Sequence, residues 1–287
     1  MNPAFQKPGE DSREALLLLT DYLHQPEEEI DCFFASLLIA SGHYPNLDTT
    51  LFLQQIETFI QSIRPFMQLA HTPEQEINTL NALLYDELGF TGNSQDYNSP
   101  KNSFLNEVME RRTGIPITLS LLYLTLGERL GLPLYPVGMP YHFLVKYETP
   151  THELYIDPFY GGMLLSEGDC YLRMEQAAGH SVPYDFAYLQ AIPKRVMLYR
   201  LVNNLKRIYL EAENWRSAEI VLKQLLIILP ESFPNLRELG KICLQERRLQ
   251  EAMHWFQRYL DAEPNAPDAS QVQEAIAYAR RQHLARN

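Results

Sequence analysis

RTGIPITLSLLYLTLGERLGLP, residues 112–133, is the stretch that decides the fold. It carries the signals of one helix with both ends marked: Pro116 suits the first helical turn, and Gly131 followed by Pro133 stops the helix. Between these ends, apolar residues fall on every face of the helix, and a helix that is apolar all round is buried all round. At about 15 residues it is too short to cross a bilayer. The stretch therefore predicts the central helix of a soluble domain.

Three β-prone runs follow this helix: Leu134–Val137, His142–Tyr147 and Glu153–Asp157. The connection between the last two predicts an antiparallel hairpin. With the turn centred on Thr149-Pro150, paired residue numbers sum to 299, and His142 lies opposite Asp157 on one face of the sheet. A histidine and an aspartate beside the N-terminus of a buried helix are two members of a Cys-His-Asp site.

Length and cysteine usage limit the class of protein. The chain has 287 residues with 46% apolar content, enough for two or three packed units. It has no apolar run of about 18 residues and no basic-then-apolar N-terminus, so we expect neither a membrane span nor a signal peptide. The three cysteines, Cys32, Cys170 and Cys243, lie far apart, which favours the reducing cytoplasm over a disulfide framework.

Charge is distributed unevenly along the chain. Residues 1–193 have 9 basic and 25 acidic side chains, whereas residues 194–287 have 15 basic and 11 acidic ones. The acidic majority disfavours nucleic acid as the main partner. The basic excess in the second part indicates either an acidic partner there or a solvated helical surface.

Helices are predicted on both sides of a polar loop that precedes the central helix. Four of them start near Ser12, Pro26, Asp48 and Thr72, and the fourth ends at Gly89. Residues 89–103 form the loop, which leads into a helix from Ser103 to Arg112. After Gly162 we expect irregular structure to about residue 193.

From Leu198 onward one pattern of small and apolar residues occurs twice, 34 residues apart. The first copy has Leu205, Tyr209, Ala218, Leu222, Leu225 and Pro230, and the second has Leu239, Cys243, Ala252, Phe256, Tyr259 and Pro264. This period is typical of tetratricopeptide helix–turn–helix repeats. Residues 194–287 are thus predicted to hold two repeats, about 199–232 and 233–266, and a capping helix. Because two repeats are few, we expect them to dock on the domain before them.

Short motifs from Gly89 to Gly162 match a known family. They are Gly89-Phe90-x-Gly92-Asn93, Pro100-x-Asn102-Ser103-x-Leu105, Arg112-x-Gly114-Ile115-Pro116-Ile117, Leu130-Gly131-Leu132, Pro140-x-His142-Phe143-Leu144 and Ile156-Asp157-Pro158-Phe159-x-Gly161-Gly162. The segment resembles the transglutaminase-like superfamily. The order of parts is similar to that of its bacterial invasion-regulator-like family, which has a transglutaminase-like N-terminal domain and C-terminal tetratricopeptide repeats.

The fold class that follows is α+β and helix-rich. Residues 1–193 are expected to form a helical front section plus a transglutaminase-like core, with the core at about 89–193. That core would consist of the central buried helix and antiparallel strands. The α-helical tetratricopeptide array of residues 194–287 would follow it.

The resemblance also places a catalytic triad, with one member replaced. In the wider superfamily the central helix opens with Gly-x-Cys, and a small residue follows four positions later. Here Gly114-x-Pro116 stands in that place, with Ser120 as the small residue, while His142 and Asp157 match the other two members. Proline has no thiol and cannot form a thioester. The departure argues against transglutaminase or cysteine-protease activity.

Two functions of different kinds remain. The first is a non-catalytic, regulatory adaptor in the cytoplasm, which binds protein partners through its C-terminal repeats. The alternative is a hydrolase or acyl-transfer enzyme, in which His142 oriented by Asp157 acts as general base for water or a non-cysteine nucleophile. Thr118 and Ser120 are the nearest hydroxyls in sequence. In either case His142 and Asp157 can also be no more than a satisfied, semi-buried pair.

A cleft at this point is expected to be lined by five further residues: Asn102, Arg112, Pro116, Thr118 and Tyr141. The eight histidines are scattered and show no metal-ligand spacing, so we expect neither a metal site nor a cofactor.

Overall fold

The computed structural model describes residues 10–285. Four α-helices come first: α1 Glu10–Tyr22, α2 Cys32–Ser41, α3 Thr49–Met67 and α4 Pro73–Asn81. A π-helical segment, Ala82–Glu87, continues α4. Side-chain caps explain two of the starts, because Asp48 accepts a hydrogen bond from the Thr50 N–H and Thr72 accepts one from the Gln75 N–H.

The second helix starts later than its sequence predicts. Residues Glu27–Glu29 form a separate 3-10 turn, and α2 begins only at Cys32. The Asp31 carboxylate accepts hydrogen bonds from the Phe33 and Phe34 N–H groups at 2.8 and 3.1 Å. An aspartate in this role terminates the preceding turn and caps a new helix, so the prediction of one helix from Pro26 was wrong.

The central helix is confirmed. After α5, Leu105–Arg111, helix α6 runs from Pro116 to Leu130 and ends at Gly131, whose φ of 77° is left-handed. Its side chains are buried on all sides among α2, α3, the strands and a later helix. Tyr123 is fully buried, and its hydroxyl donates to the Asn81 side chain at 3.0 Å, which ties α6 to α4.

The main sheet is antiparallel with four strands in sequential order: β3 Leu134–Val137, β4 Leu144–Glu148, β5 Glu153–Asp157 and β6 Met163–Leu165. Two shorter strands, β1 Thr91–Gly92 and β2 Thr113–Gly114, pair in parallel and hold the polar loop against the entry to α6.

The register between β4 and β5 differs from the predicted one. Val145 pairs with Ile156, so paired numbers sum to 301 rather than 299. The turn is centred one residue later, where the Thr149 N–H donates to the His152 carbonyl. His142 therefore lies in the loop before β4 and is not cross-strand from Asp157. Because side chains alternate with period two, this slip of two residues leaves the same side chains on each face.

A further helix lies where irregular structure was expected. Helix α7, Glu167–Ala178, starts at a reciprocal cap between Ser166 and Asp169 and ends at Gly179. Its buried face consists of Cys170 and Met174, one helical turn apart. The expectation of an irregular segment from Gly162 to about residue 193 was therefore wrong.

The C-terminal part is a helical array. Its helices are α8 Lys194–Glu211, α9 Trp215–Ile228, α10 Pro234–Gln245, α11 Leu249–Ala262 and α12 Ala269–Leu284. The first two share one apolar core with α1 and α2, in which Leu19 and Ile39 pack together with Leu198, Val202 and Leu222. Gln224 of α9 adds a hydrogen bond to the Ile39 carbonyl at 2.8 Å.

The prediction of an α+β, helix-rich fold with a C-terminal helical array is thus confirmed. Within residues 10–285, the structure contains no helix long and apolar enough to cross a membrane.

Candidate functional site

The site is built around His142 and Asp157, which the structure brings together. The Nε2–H of His142 donates to Asp157 Oδ2 at 3.0 Å, and both side chains are buried. Tyr141, just before His142, has a φ of 64°, and this left-handed turn lets the chain enter β4. With Nε2 bound to Asp157, Nδ1 is the ring nitrogen whose lone pair is left for another partner.

Donors other than His142 also hold Asp157 in place. It ends β5 and caps the 3-10 turn Pro158–Tyr160, where its Oδ1 accepts from the Phe159 N–H at 3.2 Å. Arg173 of α7 places its Nε 3.3 Å from Asp157 Oδ2, and its guanidinium stacks on the Tyr160 ring at 3.9 Å. The carboxylate is therefore fixed in position and has a cation beside it as well as the imidazole.

Arg173 could not be placed from the sequence, because α7 was not predicted. The signal was present in two parts: the cap Ser166-x-x-Asp169, and the helical spacing of Cys170, Arg173 and Met174. It would have placed Arg173 on a helix next to the strand that carries Asp157.

His142 opens onto a cleft of about 240 Å³ between the core and α8. The residues that line it come from four segments of the chain: Tyr97, Pro116, Ile117, Tyr141, His142, Phe143, Arg200, Asn203 and Asn204. Tyr97 and Tyr141 are strongly exposed and form part of its rim. Among the five residues expected to line the cleft, Pro116 and Tyr141 do so.

Pro116, the residue that the resemblance aligns with the cysteine of the triad, lies in this cleft. It is the first residue of α6 and lines the same space as His142. The nearby hydroxyl of Thr118 is already used, since it donates to the Asn102 carbonyl at 2.9 Å and accepts from the Ile115 N–H at 3.0 Å. Ser120 is fully buried in α6, and its hydroxyl has no hydrogen-bond partner within the described residues. The chain thus presents no hydroxyl in hydrogen-bond contact with His142 across residues 10–285.

The cysteines lie elsewhere. Cys32 is near the Lys194 carbonyl, Cys170 is under the sheet and Cys243 is inside the helical array. Burial raises the pKa of each thiol to about 12, so all three are protonated near neutral pH.

Asn102 does not line the cleft, but it holds the loop that carries Tyr97. Its side-chain amide donates to the carbonyls of Asp96 and Tyr97 at 2.6 and 3.2 Å, and its Oδ1 accepts from Asn93 at 3.1 Å. These bonds order the polar loop that was expected between residues 89 and 103. They also set the position of Tyr97 at the rim.

Arg112 does not lie with the other predicted site residues. It follows α5 with a left-handed φ of 54°, and its guanidinium lies over the rings of Phe59 and Phe90 at 5.2 and 4.8 Å. It therefore fills the space between α3 and the polar loop rather than the cleft.

Helix α8 supplies a second wall that the sequence did not reveal. Arg200 donates to the backbone carbonyls of Gly138, Met139 and His142, and its guanidinium lies 5.4 Å from the Phe143 ring centre. A Cβ on Gly138 would lie 2.6 Å from Arg200 Nη1, so any larger residue at this position would displace the guanidinium. Arg200 thereby fixes the loop that carries His142.

Asn203 and Asn204 line the cleft next to Arg200. They lie in the middle of α8, where asparagine is a poor helix former, and this is the one signal by which the sequence marks them. In the part of the chain that the structure describes, neither carboxamide has a hydrogen-bond partner. Both are free to contact a molecule in the cleft.

A metal centre finds no support in the described residues, which contain no group of three His, Cys, Asp or Glu side chains that could hold an ion.

Comparisons with known proteins agree with this architecture. A family model described as the transglutaminase-like superfamily matches residues 50–203, and a tetratricopeptide-repeat model matches residues 205–277. No solved structure matches the chain.

Among curated proteins, a UPF0162 protein of Xylella fastidiosa is 31% identical over 86% of this chain and 89% of its own length. A UPF0162 protein of Vibrio cholerae is 28% identical over 68% of this chain and 72% of its own length. F-box only protein 21 of Homo sapiens is 39% identical over 46% of this chain, but that match spans only 21% of the human protein. The chain belongs to the transglutaminase-like superfamily, in a form that joins the transglutaminase-like core to C-terminal tetratricopeptide repeats.

Proposed function

We propose that this protein is a non-catalytic member of its superfamily that acts in the cytoplasm by binding a protein partner. The observation that carries the proposal is Pro116, which lines the same cleft as His142 at the position where the superfamily places its cysteine. Without a nucleophile, the His142–Asp157 pair has no group of this chain to activate. What remains is a preformed cleft with polar walls.

Two further features support a binding role, and a third supports the cytoplasmic location. Tetratricopeptide repeats in general present extended surfaces to peptides and helices. The first helix of the array, α8, lines the cleft through Arg200, Asn203 and Asn204, so cleft and array form one continuous surface. Finally, the three cysteines are free thiols, which supports a reducing compartment.

Site-specific cross-linking tests the proposal. A p-benzoylphenylalanine in place of Tyr141, which is 58% exposed at the rim, should capture a discrete protein in native cells on illumination. The same probe in place of Phe66, which is 61% exposed at the end of α3, serves as the control. Capture from position 141 but not from position 66 supports a partner at the cleft. Equal capture from both positions, or none from position 141, contradicts it.

The alternative function keeps one observation in its favour. The Nδ1 lone pair of His142 is unused, and the ring lines the cleft, so the pair retains the arrangement of a general base for water. His142→Ala separates the two functions in cells. The binding proposal expects this variant to keep the cross-linked partner and to restore the growth of a strain that lacks the gene as well as the wild type does. Loss of this complementation with the partner still captured favours hydrolysis.

A further inference from the structure

The cation in the cleft wall has no anion to balance it. Arg200 is half-buried, and its donors go to three neutral carbonyls, those of Gly138, Met139 and His142. No carboxylate lies within 4 Å of its guanidinium among residues 10–285, whereas Arg173 is paired with Asp157. Burial lowers the pKa of Arg200, the sign of a charge that has lost water without gaining a counter-ion.

The surroundings of Arg200 are those of an anion site. The lining of the cleft includes no acidic residue. The carboxamides of Asn203 and Asn204 are unused donors. A guanidinium has five N–H groups, and the three hydrogen bonds of Arg200 leave some of them free to donate. Three other basic residues of α8, Lys194, Arg195 and Arg207, are paired with glutamates away from the cleft, so the positive charge in the cleft is that of Arg200. An anion entering here would meet positive charge and hydrogen-bond donors together.

The size of the cleft decides what kind of molecule carries that anion. Pockets for free small ligands are usually about 300–1,000 Å³. At about 240 Å³ the cleft falls below that range, although it has room for one side chain or one chain end. The exposed rings of Tyr97 and Tyr141 line the opening and offer contacts to neighbouring parts of a polypeptide. The geometry therefore favours a group that protrudes from a protein.

We propose that the cleft binds a carboxylate of a partner polypeptide, with Arg200 supplying the charge and Asn203 and Asn204 donating hydrogen bonds. This inference rests on the proposed binding function and adds the chemistry of what is recognised.

The test uses the full chain and three synthetic pentapeptides. One has a central glutamate and blocked ends, acetyl-Gly-Gly-Glu-Gly-Gly-amide. The second is its glutamine twin, and the third is acetyl-pentaglycine with a free C-terminal carboxylate. Binding is followed by NMR through the imidazole C–H signal of His142, assigned by its absence in His142→Gln. We expect at least one of the two carboxylates to bind about tenfold or more tightly than the glutamine twin.

Preference for the glutamate peptide identifies an acidic side chain as the ligand, and preference for the free acid identifies a chain end. Either result supports the inference. Equal binding of all three peptides, or no binding of any, overturns it.

Two test variants and one control show whether the preference comes from the proposed wall. Arg200→Gln should abolish it, while Arg258→Gln removes one positive charge at a remote site on α11, where the arginine stacks on Trp255, and should leave it unchanged. Because Arg200 also fixes the His142 loop, Asn203→Asp provides a test that leaves its bonds intact. This nearly isosteric change places a carboxylate beside Arg200 and should remove the preference as well. A preference that survives in Asn203→Asp overturns the inference.

The two proposals fail separately. If cross-linking at position 141 captures a partner but the peptides show no preference for a carboxylate, the binding function stands and the ligand chemistry is wrong. If the preference is found but nothing is captured, the anion site stands and the partner proposal falls.

Discussion

A cysteine at position 116 tests whether this position and His142 share one site. Replacing proline by cysteine at the first residue of a helix removes no backbone hydrogen bond, because the N–H there is unpaired in any case. In Pro116→Cys the new thiol would lie at the N-terminus of α6 and line the same cleft as His142. Both surroundings favour a thiolate.

The size of the effect follows from thiol chemistry. A free cysteine has a pKa of about 8.5, and a helix N-terminus together with a neighbouring imidazolium lowers the pKa of cysteines to about 3.5–7.5. With a decrease of about two units, the thiolate fraction at pH 6 rises from about 0.3% to about 24%. Because a less basic thiolate is a weaker nucleophile, with a Brønsted coefficient of about 0.4–0.5, the alkylation rate rises only about tenfold.

The assay is the rate of alkylation by iodoacetamide between pH 5 and pH 9. Burial raises the pKa of the three native thiols to about 12, so they are expected to react slowly while the protein is folded. The wild-type protein measures that background. His142→Ala in the Pro116→Cys protein is the matched control, and it should return the midpoint of the pH–rate profile toward the pKa of a free thiol.

A midpoint of about 8.5 or above in Pro116→Cys, unchanged by His142→Ala, would refute the reasoning, because position 116 and the imidazole would then not share a site. The pH–rate profile thus reports whether the cleft retains the electrostatics of a cysteine site.

Three other predictions concern stability. His43 is half-buried between Phe104 and Tyr209, and loss of hydration there lowers its pKa from 6.5 to about 4, an effect that the Gln224 carboxamide opposes only in part. Its neutral form thus stabilises the fold fully above pH 6.5, and that contribution of about 3 kcal/mol is lost as the pH falls from 6.5 to 4. The free energy of unfolding of His43→Phe, measured with urea, should lack this part of the pH dependence. If the unfolding free energy of the variant falls with pH as steeply as that of the wild type, the prediction is wrong. Asp157→Asn should lower the free energy of unfolding by about 3–5 kcal/mol, because Arg173 loses its only ion-pair partner within the described residues. If urea unfolding shows a decrease of less than about 1 kcal/mol, the Asp157–Arg173 ion pair does not stabilise the fold. Gly162→Ala should lower the melting temperature, since φ there is 72° and a Cβ would collide with the Asn81 side chain; Gly179→Ala, at a φ of 74° with open space around it, controls for the backbone strain alone.

Much of the fold could be predicted because its signals are local. The central helix has an initiating proline, a terminating glycine and an apolar surface all round, and nothing elsewhere in the chain competes with these signals. The repeats were visible for a related reason, since a period of 34 residues recurs whatever the packing around it.

The His142–Asp157 contact shows how far sequence reasoning reaches at the site. The predicted register was wrong by two residues, yet the two side chains still meet, because a shift of two preserves the face and the left-handed turn at Tyr141 folds the loop back. The partners Arg173 and Arg200 lie on helices whose orientation depends on tertiary packing, which no local pattern specifies. Arg112 was misplaced because its left-handed backbone directs the side chain toward Phe59 and Phe90.

The apolar core that α8 and α9 share with α1 and α2 has a consequence for how this protein can be taken apart or recombined. Cutting the chain between Pro193 and Lys194 would not release two autonomous modules, because each fragment would expose the surface on which the other is built. The repeats therefore cannot simply be replaced by those of another protein, and they are not joined to the core by a flexible linker. Because Arg200 bonds to the carbonyls of Met139 and His142, any tilt of the array would instead move the loop that carries His142.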